Sequence, residues 1–327
     1  MRAWQVQRLG EPREVLALAA VPDPVPGPGQ LLVRVRAAAA NFPDVLMCRG
    51  GYQVRPEVPF IPGVELCGSV IAAGPGVTGF AAGDRVIGGP AGGYGAFAEL
   101  AVLDARAAFP APAGLDDAEA AAFFITYQTG WFGLHRRARL AAGETLLVHA
   151  AAGGVGSGAV QLGKAAGARV IGVAGGPRKA AAARELGADV VVDRLDTDFV
   201  AVVKEVTGGR GADVVYDPVG GAAYAGSAKC IAFEGRIVVV GFAGGQIPAV
   251  ALNHALIKNY SIVGLHWGLY QTRDPQAVRD CHARLSELAA GGAIRPLVGE
   301  RLGLAEVPAA LQRLADGATI GRTVVVP

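Results

Sequence analysis

Between Thr145 and Gly264, short apolar runs rich in β-branched residues alternate with longer stretches that read as helices. The runs are Thr145–His149, Arg169–Ala174, Asp189–Asp193, Ala212–Asp217, Arg236–Gly241 and Tyr260–Gly264. Between them Val155–Ala166, Pro177–Leu186, Asp196–Val206, Ala222–Phe233 and Asn253–Lys258 are predicted helical, the second opening on Pro at a favoured first position. This alternation predicts an α/β fold with a parallel, doubly wound sheet and a ligand site at the carboxyl ends of its strands.

Residues 1–120 follow another pattern. Pro and Gly clusters such as Pro22–Gly29, Arg49–Tyr52, Pro56–Gly63 and Gly88–Gly95 separate short strand-like runs at Leu31–Ala37, Ser69–Ala72, Asp84–Ile87 and Phe97–Val102. That is a mostly β, turn-rich domain, with helical patterning starting only at Asp116–Phe124 and Thr129–Arg137. After the sheet come predicted helices at Pro275–Ala290 and Ala305–Ala315 and a closing strand at Thr323–Val326. This tail is too short to fold alone and is expected to rejoin the first domain. The expected domains are therefore 1–123 completed by 266–327, and 124–265, with the active site in the cleft between them.

The turn after the first strand of the sheet carries the chemistry. Ala152-Gly153-Gly154-Val155-Gly156 runs from strand into helix, and Gly154-x-Gly156-x-x-Ala159 matches the dinucleotide-binding fingerprint. Such glycines permit the tight turn and close backbone approach to a pyrophosphate, which meets the N–H groups and positive dipole end of the helix. A site for NAD usually adds Asp or Glu about 20 residues further on, bonding the ribose hydroxyls. Here that region reads Gly172-Val-Ala-Gly175-Gly-Pro-Arg178-Lys179, with no carboxylate. Room at Gly175 and cations at Arg178 and Lys179 suit a 2′-phosphate, so NADPH is the predicted cofactor.

Composition narrows the class. The 327 residues include 30 basic and 28 acidic ones, a balance that favours neither nucleic acid nor a membrane surface. The uncharged windows Thr145–Gly163 and Ile237–Ile257 contain Gly and polar residues and read as strand–turn–helix units, not membrane spans. The N-terminus has no signal-peptide block, so a cytoplasmic protein is expected. Cys48, Cys67, Cys230 and Cys281 are widely spaced, which predicts buried thiols without disulfides or a zinc lobe.

Several motifs then occur in a fixed order: Asn41-Phe-Pro-Asp44, Pro62-Gly-Val-Glu65-x-x-Gly68, Gly83-Asp-Arg-Val86, His149-Ala-Ala-Ala-Gly-Gly-Val-Gly156, Arg184-Glu-Leu-Gly-Ala-Asp189, Asp217-x-Val-Gly220, Gly235-Arg236 and Gly321-Arg322. Together they resemble the zinc-independent NADPH:quinone oxidoreductases, the ζ-crystallin-like branch of the medium-chain dehydrogenase/reductases. The resemblance spans nearly the whole chain. It implies a GroES-like catalytic domain with an inserted Rossmann domain, and a homodimer. It also implies that Asn41 and Tyr52 border the nicotinamide and the acceptor, with Asp44 orienting their loop. Thr129, Gly241 and Phe242 are implied beside the nicotinamide and Arg194 on the adenine side.

Zinc members of that superfamily carry Cys near residue 41 and Gly-His-Glu near 63–65, where this chain has Asn41 and Gly63-Val64-Glu65. Without those ligands a catalytic zinc is not expected. Oxidising an unactivated alcohol then becomes difficult, whereas an electrophilic acceptor can take hydride at carbon. The expected activity is hydride transfer from NADPH to a small quinone or α,β-unsaturated carbonyl. The alternatives are reduction of enoyl thioesters, with Arg49, Arg55, Arg136 and Arg137 as candidate contacts to CoA phosphates, and a non-enzymatic, crystallin-like NADPH-binding protein.

Overall fold

A computed structural model describes all residues, Met1–Pro327. The chain divides into two compact units, Met1–Ile125 with Arg295–Pro327, and Thr126–Ile294.

The first unit opens on an antiparallel pair, β1 (Arg2–Val6) and β2 (Leu16–Ala20). Its main sheet is built around β3 (Gln30–Ala39), where Leu31, Val33 and Val35 are buried while Arg34 and Arg36 face solvent. That two-residue period is what a strand with one apolar face requires. β3 pairs with β4 (Leu66–Ala73) and with β6 (Leu100–Asp104), and β4 continues through β5 (Arg85–Gly88) to β7 (Phe109–Pro110). Between β3 and β4 lies a short helix, Phe42–Cys48, capped by Asn41 and Asp44.

The second unit holds a six-stranded parallel sheet of β8 (Thr145–His149), β9 (Arg169–Ala174), β10 (Val190–Asp193), β11 (Ala212–Asp217), β12 (Ile231–Val239) and β13 (Ser261–Gly264). Their order across the sheet is β10-β9-β8-β11-β12-β13. Every residue of β8 is buried, as a central strand covered on both faces demands. The order reverses beside β8, so the crevice outside the carboxyl ends of β8 and β11 is where a doubly wound sheet binds ligands. The two long uncharged windows resolve into strand–turn–helix segments, and no helix is long and apolar enough to cross a membrane.

Two features depart from the sequence reading. β12 starts at Ile231 instead of Arg236, and the preceding helix stops at Cys230. Gly235 allows this, because a Cβ there would lie 2.6 Å from Ile231 Cγ1. Residues 266–294, expected with the first domain, belong to the second unit. The amphipathic helix Pro275–Ala290 turns Val278, Cys281 and Leu285 inward, and Gln128 Nε2 donates to Val278 O at 3.2 Å. Only Arg295–Pro327 returns to the first unit. There β15 (Arg322–Val326) pairs with β3 and with β14 (Val298–Gly303), an edge strand whose charged Glu300 and Arg301 hide it from hydrophobic patterning.

All four cysteines are buried and free. His149, at the end of β8, is buried with Nε2 2.7 Å from Ser227 Oγ, and that hydroxyl donates its own hydrogen to Ala223 O at 2.8 Å. That leaves the hydroxyl oxygen to accept from Nε2, and burial depresses the imidazole pKa from 6.5 to about 4, so the ring is neutral at pH 7. A group depressed in the folded state contributes stability that is complete above its unfolded pKa and lost as pH falls toward the folded one. The shift from 6.5 to about 4 corresponds to roughly 3 kcal/mol lost between pH 6.5 and 4. His149→Gln, which keeps a donor near Nε2, should lack this component. Denaturant melts of both proteins at pH 7 and pH 4.5 check it; parallel pH profiles would contradict it.

Candidate active site

The turn after β8 is built by close backbone packing. A Cβ on Gly156 would sit 2.1 Å from Ala150 O, so only glycine fits. Gly153 caps the helix Gly154–Ala165 without any side-chain hydrogen bond, and Ala152 is buried beneath it. The first-turn N–H groups of Gly154, Val155 and Gly156 thus lack a side-chain cap and can meet an anion.

At the end of β9, Gly175 and Gly176 lead into the helix Pro177–Glu185. The Arg194 guanidinium lies over Gly175, where a Cβ would approach its Nε to 3.1 Å. Lys179, in the first turn of that helix, is half-buried, and its pKa is lowered by burial and then by the Arg194 charge. Arg178 remains exposed and makes no ion pair. Asp193, at the end of β10, uses Oδ1 to accept Gly176 N at 2.8 Å and Leu195 N at 3.1 Å, which fixes the turn. Sequence reasoning missed Asp193 because its partners are backbone groups.

Beyond β11, Asp217 Oδ1 accepts Val219 N at 2.8 Å and Gly220 N at 2.9 Å. The loop carrying Gly241 and Phe242 rides on this turn through Ala243 N to Pro218 O and Gly244 N to Val219 O, each 3.0 Å. A Cβ on Gly220 would come within 2.7 Å of Phe242 Cδ1, so that glycine seats the half-exposed ring. Thr129 is buried on the helix Phe124–Trp131.

In the first unit, Asn41 and Asp44 lie in a buried polar knot. Asp44 Oδ2 accepts Asn41 N at 2.8 Å and Oδ1 accepts Gly63 N at 2.9 Å. Burial pushes the Asp44 pKa up to about 7. The Asn41 amide is fully engaged: Nδ2 donates to Ala39 O at 3.0 Å and Glu65 Oε1 at 2.8 Å, while Oδ1 accepts Arg322 Nη1 at 2.9 Å. Arg322 Nη2 also pairs with Glu65 Oε1, and Glu65 Oε2 accepts Ile125 N at 2.8 Å. Burial raises the Glu65 pKa while Arg322 and the two N–H donors oppose it.

Both Asn41 Nδ2 hydrogens are thus taken up within the protein, by Ala39 O and Glu65 Oε1. Tyr52 differs. It packs half-buried against the apolar cluster of Val6, Val15, Met47, Cys48 and Phe60, and its hydroxyl makes no hydrogen bond to the protein. Burial, then Asp44, raises its pKa, so it is a protonated, uncommitted donor.

The family model described as "Alcohol dehydrogenase GroES-like domain" matches residues 27–113, and "Zinc-binding dehydrogenase" matches 154–284. A quinone oxidoreductase-like protein 2 homolog of Nematostella vectensis is 39% identical over 301 residues, covering 91% of this chain and 82% of the relative. The chain belongs to the quinone oxidoreductase branch of the medium-chain dehydrogenase/reductases. The Escherichia coli quinone oxidoreductase, solved in complex with NADPH, superposes with a TM-score of 0.92 at 30% identity over the full length of both chains. The phthioceranic/hydroxyphthioceranic acid synthase of Mycobacterium tuberculosis is 35% identical over 314 residues, 95% of this chain but 15% of the synthase.

One family model carries zinc in its name, and the donor set here does not fit a metal. No three His, Cys, Asp or Glu side chains come together. Both oxygens of Asp44 and both of Glu65 already accept N–H donors, and the Arg322 guanidinium would repel a dication beside them.

Proposed function

We propose that this oxidoreductase transfers a hydride from NADPH to a quinone or another α,β-unsaturated carbonyl, without a metal. The observation that carries the cofactor choice is the Arg194 guanidinium lying against Gly175, with Lys179 in the helix that follows and the adjacent Asp193 tied to backbone. A free carboxylate there would repel a 2′-phosphate; two cations attract it. NADPH, when bound, supplies the hydride. Gly154, Val155 and Gly156 would hold its pyrophosphate, with Thr129, Gly241 and Phe242 bordering the nicotinamide. Tyr52 would donate to the acceptor oxygen as negative charge develops there. Asn41 and Asp44 hold the loop that leads to Tyr52.

The test is NADPH oxidation across quinones, enones and enoyl-CoAs. Turnover of quinones or enones is expected, and Tyr52→Phe should lower kcat/KM for them by roughly 10²-fold, the cost of one oxyanion donor. An unchanged value removes Tyr52 from the site. Tight NADPH binding with no turnover of any acceptor would support the crystallin-like reading instead.

Reduction of enoyl thioesters is the second reading. Against free CoA esters, Arg49 is paired with Glu11, Arg136 with Asp274, and Arg137 donates to Gly264 O, which leaves Arg55 as the uncommitted cation of the four.

A homodimer is also proposed. β13 is an edge strand, and Leu252, Leu256 and Ile257 on the neighbouring helix are exposed by 69–78%. Unpaired edges and apolar patches of this kind suit a partner sheet. Sedimentation velocity reads out the mass, and a monomer at micromolar concentration would count against it.

A further inference from the structure

Glu65 is used by none of the steps above, yet it is wholly buried and makes contacts to three separated parts of the chain. Oε1 accepts Asn41 Nδ2 and pairs with Arg322, while Oε2 accepts Ile125 N at 2.8 Å. Ile125 lies in the first turn of the helix Phe124–Trp131, so the carboxylate satisfies one of the N–H groups a helix start leaves open, at its positive dipole end. Thr129 stands four residues on, one turn along the same face. That helix is locked in turn to the dinucleotide-binding helix. A Cβ on Gly158 would lie 2.8 Å from Thr126 Cγ2, and one on Gly130 would lie 2.7 Å from Leu162 Cδ1, so the two pack at glycine distance.

We infer that Glu65 is a positioning residue for hydride transfer: one buried carboxylate fixes both the Asn41 amide and the helix that carries Thr129. Arg322 is its counterpart, holding Asn41 Oδ1 at 2.9 Å while neutralising Glu65. Aligned reactants owe much of their rate to orientation, and small displacements of the residues around them slow the chemical step. This inference rests on the proposed roles of Asn41, Tyr52 and Thr129.

Single-turnover stopped flow with pre-bound NADPH and a quinone separates positioning from folding, since the amplitude reports the competent fraction and the rate constant reports the chemistry. For Glu65→Gln the rate constant should fall roughly 10- to 100-fold, with the NADPH Kd within about twofold of wild type. Arg322→Lys keeps the charge and leaves the Glu65 bonds to Asn41 and Ile125 possible, so it should show a smaller fall of the same kind. It also keeps the test open if Glu65→Gln does not fold. Lost amplitude with an unchanged rate constant in the variants that fold would overturn the inference, as would no effect at all. Asn41→Ala and Thr129→Ala run alongside: if neither alters the rate constant, the site reading itself fails, whatever Glu65 does.

Discussion

Replacing Lys179 and Arg194 together by Ala is expected to raise KM for NADPH by roughly 10²-fold or more while leaving NADH within about threefold. Hydrogen bonds from charged donors contribute about 1.5–3 kcal/mol each; Arg194 lies against the glycine turn and Lys179 stands in the first turn of the helix after it. Each single variant should recover part of the difference. Arg178, although adjacent in sequence, is exposed and unpaired, so Arg178→Ala should change KM by less than either. Steady-state kinetics with both coenzymes at fixed acceptor concentration decides this. A loss of equal size for NADH would mean that the two cations act on something other than the 2′-phosphate.

Arg322→Met should destabilise the first unit by about 3–5 kcal/mol, because it leaves Glu65 buried without its cation. The side chains of Arg322 and Glu65 are 4% and 0% exposed, so solvent cannot take the place of the missing partner. The pH dependence follows from the sign of the shift. Glu65 already has a raised pKa from burial, and removing Arg322 removes the main opposing influence. A carboxyl raised in the folded state holds its proton there more tightly than in the unfolded chain, so stability falls as pH rises. The deficit should therefore be smaller at pH 5 than at pH 8. Thermal melts at the two pH values check this, and a variant within 1 °C of wild type at pH 8 would contradict a load on the buried pair.

Much of the fold was legible because its determinants are local. The apolar runs of the parallel sheet are buried strands bounded by turns, and the glycine fingerprint falls at the turn where backbone crowding around Gly156 excludes any side chain. What stayed hidden is non-local. Glu65 and Arg322 are 257 positions apart and meet only because β15 returns beside β3. Glu119 and Arg295 likewise pair across 176 positions. No spacing rule joins such residues, even where, as with Glu65 and Arg322, each stands in a motif visible in the sequence. Asn41 stands out in the sequence as a polar residue in an Asn-Phe-Pro-Asp loop, but its hydrogen-bond partners are a property of the folded knot. The tail boundary moved for a similar reason: the helix Pro275–Ala290 shows an apolar face, and nothing in that face says which unit it covers.

The most direct test follows the hydride. EDTA-dialysed protein is mixed with NADPH deuterated at C4 on the transferred face and an enone, and the saturated product is examined by mass spectrometry. Deuterium on the product carbon, with NADPH strongly preferred over NADH and no need for added zinc, is the predicted result. Product lacking the label, or activity that returns only when zinc is restored, would contradict it.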